Sequence, residues 1–144
     1  MRALIIHGPN LNMLGKRDKG TYGNLTLEEI NNLIKKTYKD IKFDFYQSNY
    51  EGEIINLLQN SNSYDFLVIN PGGLCHYSVT LRDAFELVSI KKAVVHLSNI
   101  KAREPFRQID LLENLADVYI TGLKEESYIK AIKEILRKHF SENL

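Results

Sequence analysis

The chain reads as an α/β protein built on one parallel sheet. Three observations predict this. Short apolar runs recur five times along the 144 residues. Stretches with apolar residues three and four apart, the period of an amphipathic helix, lie between them. Several of the apolar runs stop abruptly on Gly-Pro, Pro-Gly-Gly or a lone Gly, residues that end a strand. Strand and helix in strict alternation give a parallel sheet with helices on both faces.

The elements follow in order. Residues 3–7 form the first strand, closed by Gly8-Pro9. A long loop runs to Gly23. Thr26 and Glu29 make a capping-box pattern that opens a helix carrying Leu27, Ile30, Leu33 and Ile34 on one face. Ile41, Phe43 and Phe45 alternate with polar residues as strand two. Ser48 and Glu51 repeat the capping-box spacing before a helix with Ile54, Ile55, Leu57 and Leu58. Phe66–Asn70 is strand three. Ser78 caps a helix to about Val88 with Val79, Leu81 and Phe85 inward. Residues 93–97 are strand four, and 98–106 a charged loop. Residues 107–115 hold one short helical turn. Val118–Thr121 is strand five, and residues 128–139 are the last helix. With five strands, the flavodoxin-like order 2-1-3-4-5 is expected, its ligand crevice opening beyond the carboxyl ends of strands one and three.

Composition narrows the function. A chain of this length with 44% hydrophobic residues suits a single domain over 1–144. A net charge of +1 gives no basic excess for nucleic acid. One cysteine, Cys75, excludes an intrachain disulfide and fits a reducing compartment. The opening MRALIIHGPN is too short an apolar run for a signal peptide or membrane span. The expectation is a cytoplasmic protein with no membrane partner.

Candidate chemistry clusters in the loops after strands one, three and four. Segment 8–16 resembles a phosphate loop, but six residues rather than four separate Gly8 from Gly15, and Arg17 stands where Ser or Thr would bind magnesium. Cys75, His76 and His96 lack the spacing of a metal site, so no metal is expected, and Cys75 reads as a packing residue. His96 is either a satisfied histidine at a strand end or an active one; His76 is either bonded to backbone or turned to a ligand. Lys16 and Lys101 read as solvated charge. Arg103 and Arg107, four apart, would share one face of a helical turn. Basic loops on a nearly neutral chain suit a small anion. Tyr22, between Gly20 and Gly23, is an ordinary phenol unless guanidiniums favour its ionised form, in which case it can act as a base. Segment 14–23, basic and rich in glycine, is expected to act as a lid.

The segments GPNLNMLGKRDKGTYG (8–23), QSNYEGEIINLL (47–58), INPGGLCHYSVTLRDAF (69–85) and VHLSNIKAREPFR (95–107) together resemble type II 3-dehydroquinate dehydratase in order and spacing. The resemblance implies a flavodoxin-like subunit assembled as a homododecamer, a tetramer of trimers. It implies conversion of 3-dehydroquinate to 3-dehydroshikimate and water, in the shikimate or quinate pathway, with no cofactor, metal or lysine Schiff base. Residue by residue, Tyr22 matches the base and Arg17 and Arg103 the arginines beside it. Asn10 matches the residue that stabilises the enolate through a water, and His96 the general acid. Asn70 and the backbone at Leu97 and Ser98 match the groups that hold the substrate carboxylate. His76 and Arg107 match those on the ring hydroxyls, and Asp83 a residue that reaches a neighbouring subunit's site. Three positions depart from the family's habit: Val94 where Glu commonly precedes the acid by two residues, Tyr77 for Thr, and Lys124-Glu125-Glu126 for a Gly-rich turn. A histidine without that Glu loses a partner on its own strand face, and a slow enzyme is expected. The other reading is a flavodoxin-like small carboxylate-binding homologue with weak or lost turnover.

Overall fold

The computed structural model describes residues 1–140; residues 141–144 of the expected 1–144 unit lie outside the described part. The elements are β1 (Arg2–His7), α1 (Lys19–Tyr22), α2 (Leu27–Thr37), β2 (Lys42–Gln47), α3 (Glu51–Gln59), β3 (Phe66–Asn70), α4 (Val79–Glu86), β4 (Lys91–His96), β5 (Val118–Thr121) and α5 (Glu126–His139). The five strands lie in the order β2-β1-β3-β4-β5, and every pairing is parallel. This is the flavodoxin-like order expected from the sequence.

Strand alternation sorts the core into two layers. Ala3, Ile5, Phe66, Val68, Ala93 and Val95 pack against Ile30 and Ile34 of α2 and Tyr128, Ala131, Ile132 and Ile135 of α5. Leu4, Ile6, Leu67, Ile69 and Val94 pack against Ile54 and Leu58 of α3 and Leu81, Ala84 and Phe85 of α4. Burial of side chains this size stabilises by about 1.5–3 kcal/mol each before entropy is counted.

The helix starts show which capping signals hold. The Thr26 hydroxyl accepts from the Glu29 N–H, and the Glu29 carboxylate accepts from the Thr26 N–H, a complete capping box. Ser78 caps α4 through the Leu81 N–H at 3.0 Å. The Ser48–Glu51 pattern does not form a box: Tyr50 is the cap residue, Ser48 donates to Glu53, and Glu51 accepts instead from Ser78. The short pattern matched, but a tertiary partner for Glu51 won. Val79, expected to face inward, is 59% exposed, because the buried stripe of α4 is Leu81, Ala84 and Phe85. Residues 98–115 hold three 3-10 turns rather than a charged loop and one turn, at Ile100–Ala102, Pro105–Arg107 and Glu113–Leu115. One contact invisible to periodicity is Lys92, whose buried ammonium donates to the carbonyls of Phe85, Glu86 and Val88 and so closes the end of α4.

Parallel register brings the strand ends into line. His7 stands opposite Gln47 on one side and Asn70 on the other; His96 stands opposite Thr121. His7 is fully buried. Its Nδ1 lies 2.8 Å from the Tyr128 hydroxyl and its Nε2 2.8 Å from the Asn31 carbonyl oxygen. An amide oxygen only accepts, so Nε2 carries the proton and Nδ1 accepts from Tyr128. Burial, only partly offset by the Asn31 bond, lowers the His7 pKa to about 4.

The unfolded chain therefore binds a proton at His7 near pH 6.5 that the folded chain refuses until about pH 4. Stability from this group is complete above pH 6.5 and falls as pH drops towards 4, by about 3 kcal/mol in all. Urea unfolding at intervals between pH 7 and 4 should show this slope, and His7→Gln should flatten it. Equal slopes in the two proteins would place the acid sensitivity elsewhere.

Candidate active site

The loops leaving β1 and β3 meet at the carboxyl edge of the sheet. The Gly8 N–H donates to the Asn70 carbonyl at 2.7 Å. A Cβ on Gly8 would lie 2.6 Å from the Pro71 carbonyl oxygen, so only glycine fits. Across the same contact Gly72 takes φ +61°, and a Cβ there would lie 2.9 Å from the Pro9 carbonyl oxygen. The chain then turns at Asn10, a non-glycine residue at φ 70°, whose N–H donates to Asn49 Oδ1. This interlock forms the floor of a cavity of about 260 Å³.

One wall is basic. The Tyr22 hydroxyl accepts a hydrogen bond from Arg103 Nη1 at 2.9 Å. The Arg17 guanidinium carbon sits 3.7 Å from the centre of the Tyr22 ring. Arg107 lines the same cavity. Burial lowers the Arg17 pKa, Tyr22 opposes that, and Arg103 and Arg107 add to it; with a reference value above 12 the group stays a cation. Glu104 is a carboxylate partner of Arg107 at 2.8 Å and, more distantly, of Arg103 at 3.8 Å, and it lies half exposed at the rim. Two guanidiniums bear on the Tyr22 phenol, Arg103 through a hydrogen bond and Arg17 across the ring face, while Arg107 pairs with Glu104 at the rim, so this wall is cationic and suits an anionic ligand.

The facing wall carries His96. Its Nε2 lies 2.7 Å from Asp110 Oδ2, with the two side chains 5% and 0% exposed. The same carboxylate oxygen accepts from the Tyr119 hydroxyl at 2.8 Å, and Oδ1 accepts from the Leu112 N–H at 2.9 Å, an Asx turn. Burial alone would raise the Asp110 pKa; the hydrogen bonds from His96, Leu112 and Tyr119 outweigh it and hold the group below its ordinary value. Burial and then the Asp110 carboxylate push the Cys75 thiol far up, so Cys75 is no thiolate and packs as expected. Cys75, His96 and Asp110 are the one group among the described residues with metal-ligating atoms close together. A zinc ion holds each N and O ligand at about 2.0–2.2 Å, which would spread the His96 and Asp110 atoms beyond the 2.7 Å at which they share a proton.

The other expected site residues fall as follows. Asn10, Asn70, His76, Leu97 and Ser98 all line the cavity. Asn70 Oδ1 accepts from the Gly72 N–H at 3.1 Å, which fixes the carbonyl end of the amide. Ser98 accepts from Arg103 at 3.2 Å. His76 Nδ1 donates to the Ile109 carbonyl at 2.7 Å, which satisfies the backbone-bonded reading and still leaves the ring on the cavity. Arg103 and Arg107 reach the cavity from separate turns, not from one helical face. Asp83 does not line it; it sits exposed on α4 beside Arg82. Asp110 and Tyr119 are the functional candidates that sequence reasoning missed. The departure at Val94 was the only signal, and it pointed to a lost partner without saying where another stood. The structure places the Asp110 carboxylate on His96 in the position of such a partner.

Fold and site together define a flavodoxin-like α/β protein whose cleft sets a guanidinium-flanked phenol against a carboxylate-backed imidazole. A family profile described as "Dehydroquinase class II" matches residues 1–136. The chain is 45% identical to the 3-dehydroquinate dehydratase of Thermotoga neapolitana, over 99% of each protein. It is 45% identical to that of Halothermothrix orenii, over 94% of this chain and 93% of the relative. Its structure is similar to a type II dehydroquinase from Butyrivibrio crossotus, with a TM-score of 0.90 and 45% identity, over 94% of this chain and 97% of the other. It is similar as well to one from Propionibacterium acnes, with a TM-score of 0.90 at 26% identity, over 95% and 97%. The chain belongs to the class II dehydroquinase family.

Val94 is fully buried and stands opposite Tyr119 across the β4–β5 pair. Val94→Glu would place a second carboxylate in an apolar layer where the imidazole is already engaged. The expected outcome is a loss of about 2 kcal/mol or more in urea unfolding at pH 7, with no gain in turnover. A variant of undiminished stability would show that the layer accommodates a second acid.

Proposed function

We propose that this chain is a 3-dehydroquinate dehydratase, a hydro-lyase that removes water from 3-dehydroquinate by anti elimination through an enolate. The observation that carries the reading is Tyr22, hydrogen-bonded to Arg103 and stacked under Arg17, on the same cavity as His96. In the proposed cycle the Tyr22 phenolate takes the proton α to the ketone, and the electron pair moves into the enolate. A water held by Asn10 stabilises the enolate oxygen. The pair then returns, the carbon–oxygen bond of the leaving hydroxyl breaks, and His96 gives that hydroxyl its proton to make water. Tyr22 ends protonated and His96 neutral, and one proton transfer between them resets the site. Arg17 and Arg103 hold the phenolate; Asn70 with the backbone of Leu97 and Ser98 takes the substrate carboxylate; His76 and Arg107 take ring hydroxyls. No metal or cofactor enters the scheme.

The proposal extends to the whole of 1–144 as one catalytic unit working in the cytoplasm, in the shikimate pathway of aromatic amino-acid biosynthesis or in quinate use. Among the described residues no helix is long and apolar enough to cross a membrane. Assembly as a homododecamer would bring Asp83 of one subunit to a neighbour's site. Exposed Tyr77, Phe106 and Ile109 near the cleft are apolar surface that another copy would cover. Segment 14–23 would close over the substrate: it is anchored by buried Leu14 and bends at Gly15 and Gly23, both at positive φ.

Incubation with 3-dehydroquinate should produce the ultraviolet absorption of a conjugated enone acid, insensitive to borohydride. Tyr22→Phe should lose about three orders of magnitude or more in kcat with KM within a few-fold. Near-normal turnover in that variant would assign the base elsewhere. Trypsin should cut the free protein first after Lys16, Arg17 or Lys19, and a substrate analogue should slow that cut. Equal cutting rates would count against closure.

A further inference from the structure

Within the dehydratase reading, we propose that Asp110, with Tyr119 behind it, is the positioning residue that selects which nitrogen of His96 delivers the proton. Asp110 touches neither the cavity lining nor any reacting atom; it acts through the imidazole. A carboxylate with Tyr119 and the Leu112 N–H already donating to it is an acceptor, so the bond to His96 has Nε2 as donor. His96 Nδ1 makes no hydrogen bond among the described residues and is not a buried orphan, and the residue lines the cavity. The proton given to the leaving hydroxyl therefore comes from Nδ1. In both states of the cycle Nε2–H stays on Asp110, so the ring keeps one orientation and one neutral tautomer.

The carboxylate comes from a loop rather than from β4. It is fixed by the Asx turn to Leu112, by the Leu111 N–H donating to the Cys75 carbonyl at 2.8 Å, and by the Tyr119 hydroxyl from β5. Other titratable or charged groups face the ring from several elements. Cys75 Sγ lies 3.9 Å from Nε2, and burial and Asp110 keep it a thiol. Burial and Asp110 likewise keep Tyr119 a neutral phenol. Arg17, Tyr22, His76, Arg103 and Arg107 line the rest of the cavity, and Lys101 and Glu113 pair behind the loop at 2.7 Å. Asp110 is the one anion bonded to the ring.

The test uses the full chain. Asp110→Asn should lower kcat about 10- to 100-fold, the range seen when a partner behind a working histidine is lost at metal sites, with KM within about threefold. The alkaline limb of kcat should move to lower pH, because an amide leaves the ring without the anion now bonded to Nε2. Asp110→Glu should recover part of both effects, and Tyr119→Phe should give a smaller shift of the same sign. A folded Asp110→Asn protein with wild-type kcat and an unmoved alkaline limb would overturn the proposal. If that variant does not fold, the wild-type protein decides: nitrogen-15 spectra of labelled histidines, assigned with His96→Gln, should show neutral His96 protonated on Nε2. A neutral form protonated on Nδ1 would overturn the proposal. The spectra need no turnover, so a failure of the dehydratase reading shows in the enone assay alone.

Discussion

The cleft depends on a backbone-to-backbone contact. Residues 8–9 and 70–72 pass so closely that Gly8 has no room for a Cβ and Gly72 must turn at positive φ. A doubly wound sheet splits its connections to opposite faces between β1 and β3, and the strand ends there diverge into a crevice. In this chain the crevice is closed at its base by the Gly8 hydrogen bond to Asn70. That closure sends Asn10 and Asn70 up from the floor together. It lets β1 continue into the long segment that carries Arg17 and Tyr22 to one wall, while β4 delivers His96 to the other.

The two walls differ in charge for structural reasons. Tyr22 stands on a short helix held at its start by Asp18, which accepts from the Thr21 hydroxyl. It is surrounded by cations from two separate loops. His96 ends a buried strand, and its partner is an anion sealed beneath the surface. A base needs a setting that favours its ionised, negative form; an acid needs one that favours its protonated, positive form. In the proposed cycle the cations stand beside the group cast as base and the carboxylate behind the group cast as acid, within one small cavity. Salt would screen the buried half of this arrangement far less than the exposed Glu104–Arg107 pair at the rim.

Much of this was legible in the sequence, and the limits are instructive. The strands were readable because parallel strands buried on both faces are near-continuous apolar runs, and FLVIN at Phe66–Asn70 is fully buried. The Thr26 capping box was readable because both partners lie within one turn. Ser48–Glu51 had the same spacing and failed, because Glu51 found Ser78, 27 residues away. The His7–Tyr128 bond was invisible for the same reason, the two lying 121 residues apart; Lys92 was invisible although its partners are four to seven residues away, because no periodicity marks a strand lysine that turns back onto the preceding helix end. Asp110 was hidden twice over. It lies 14 residues from His96 in a segment without periodicity, and its loop was read as one helical turn rather than as separate turns joined by an Asx turn.

That loop also couples two ends of the proposed substrate site. His76 holds the Ile109 carbonyl, and the next residue is Asp110, whose carboxylate holds His96. The Leu111 N–H then returns to the Cys75 carbonyl, next to His76. In the proposed cycle a ring hydroxyl that bonds His76 would pull on the same three-residue link that carries the carboxylate behind His96. Both imidazoles are thus orientated through one short piece of backbone, and each is fixed by the nitrogen turned away from the cavity or towards the loop. Under the proposed roles a change at Ile109 or Leu111 that shifts this link would disturb substrate grip and proton delivery together, whereas a change at Tyr119 would act first on the Asp110 carboxylate. The distinction separates a loosened loop from a lost carboxylate, since the first raises KM as kcat falls and the second leaves KM in place.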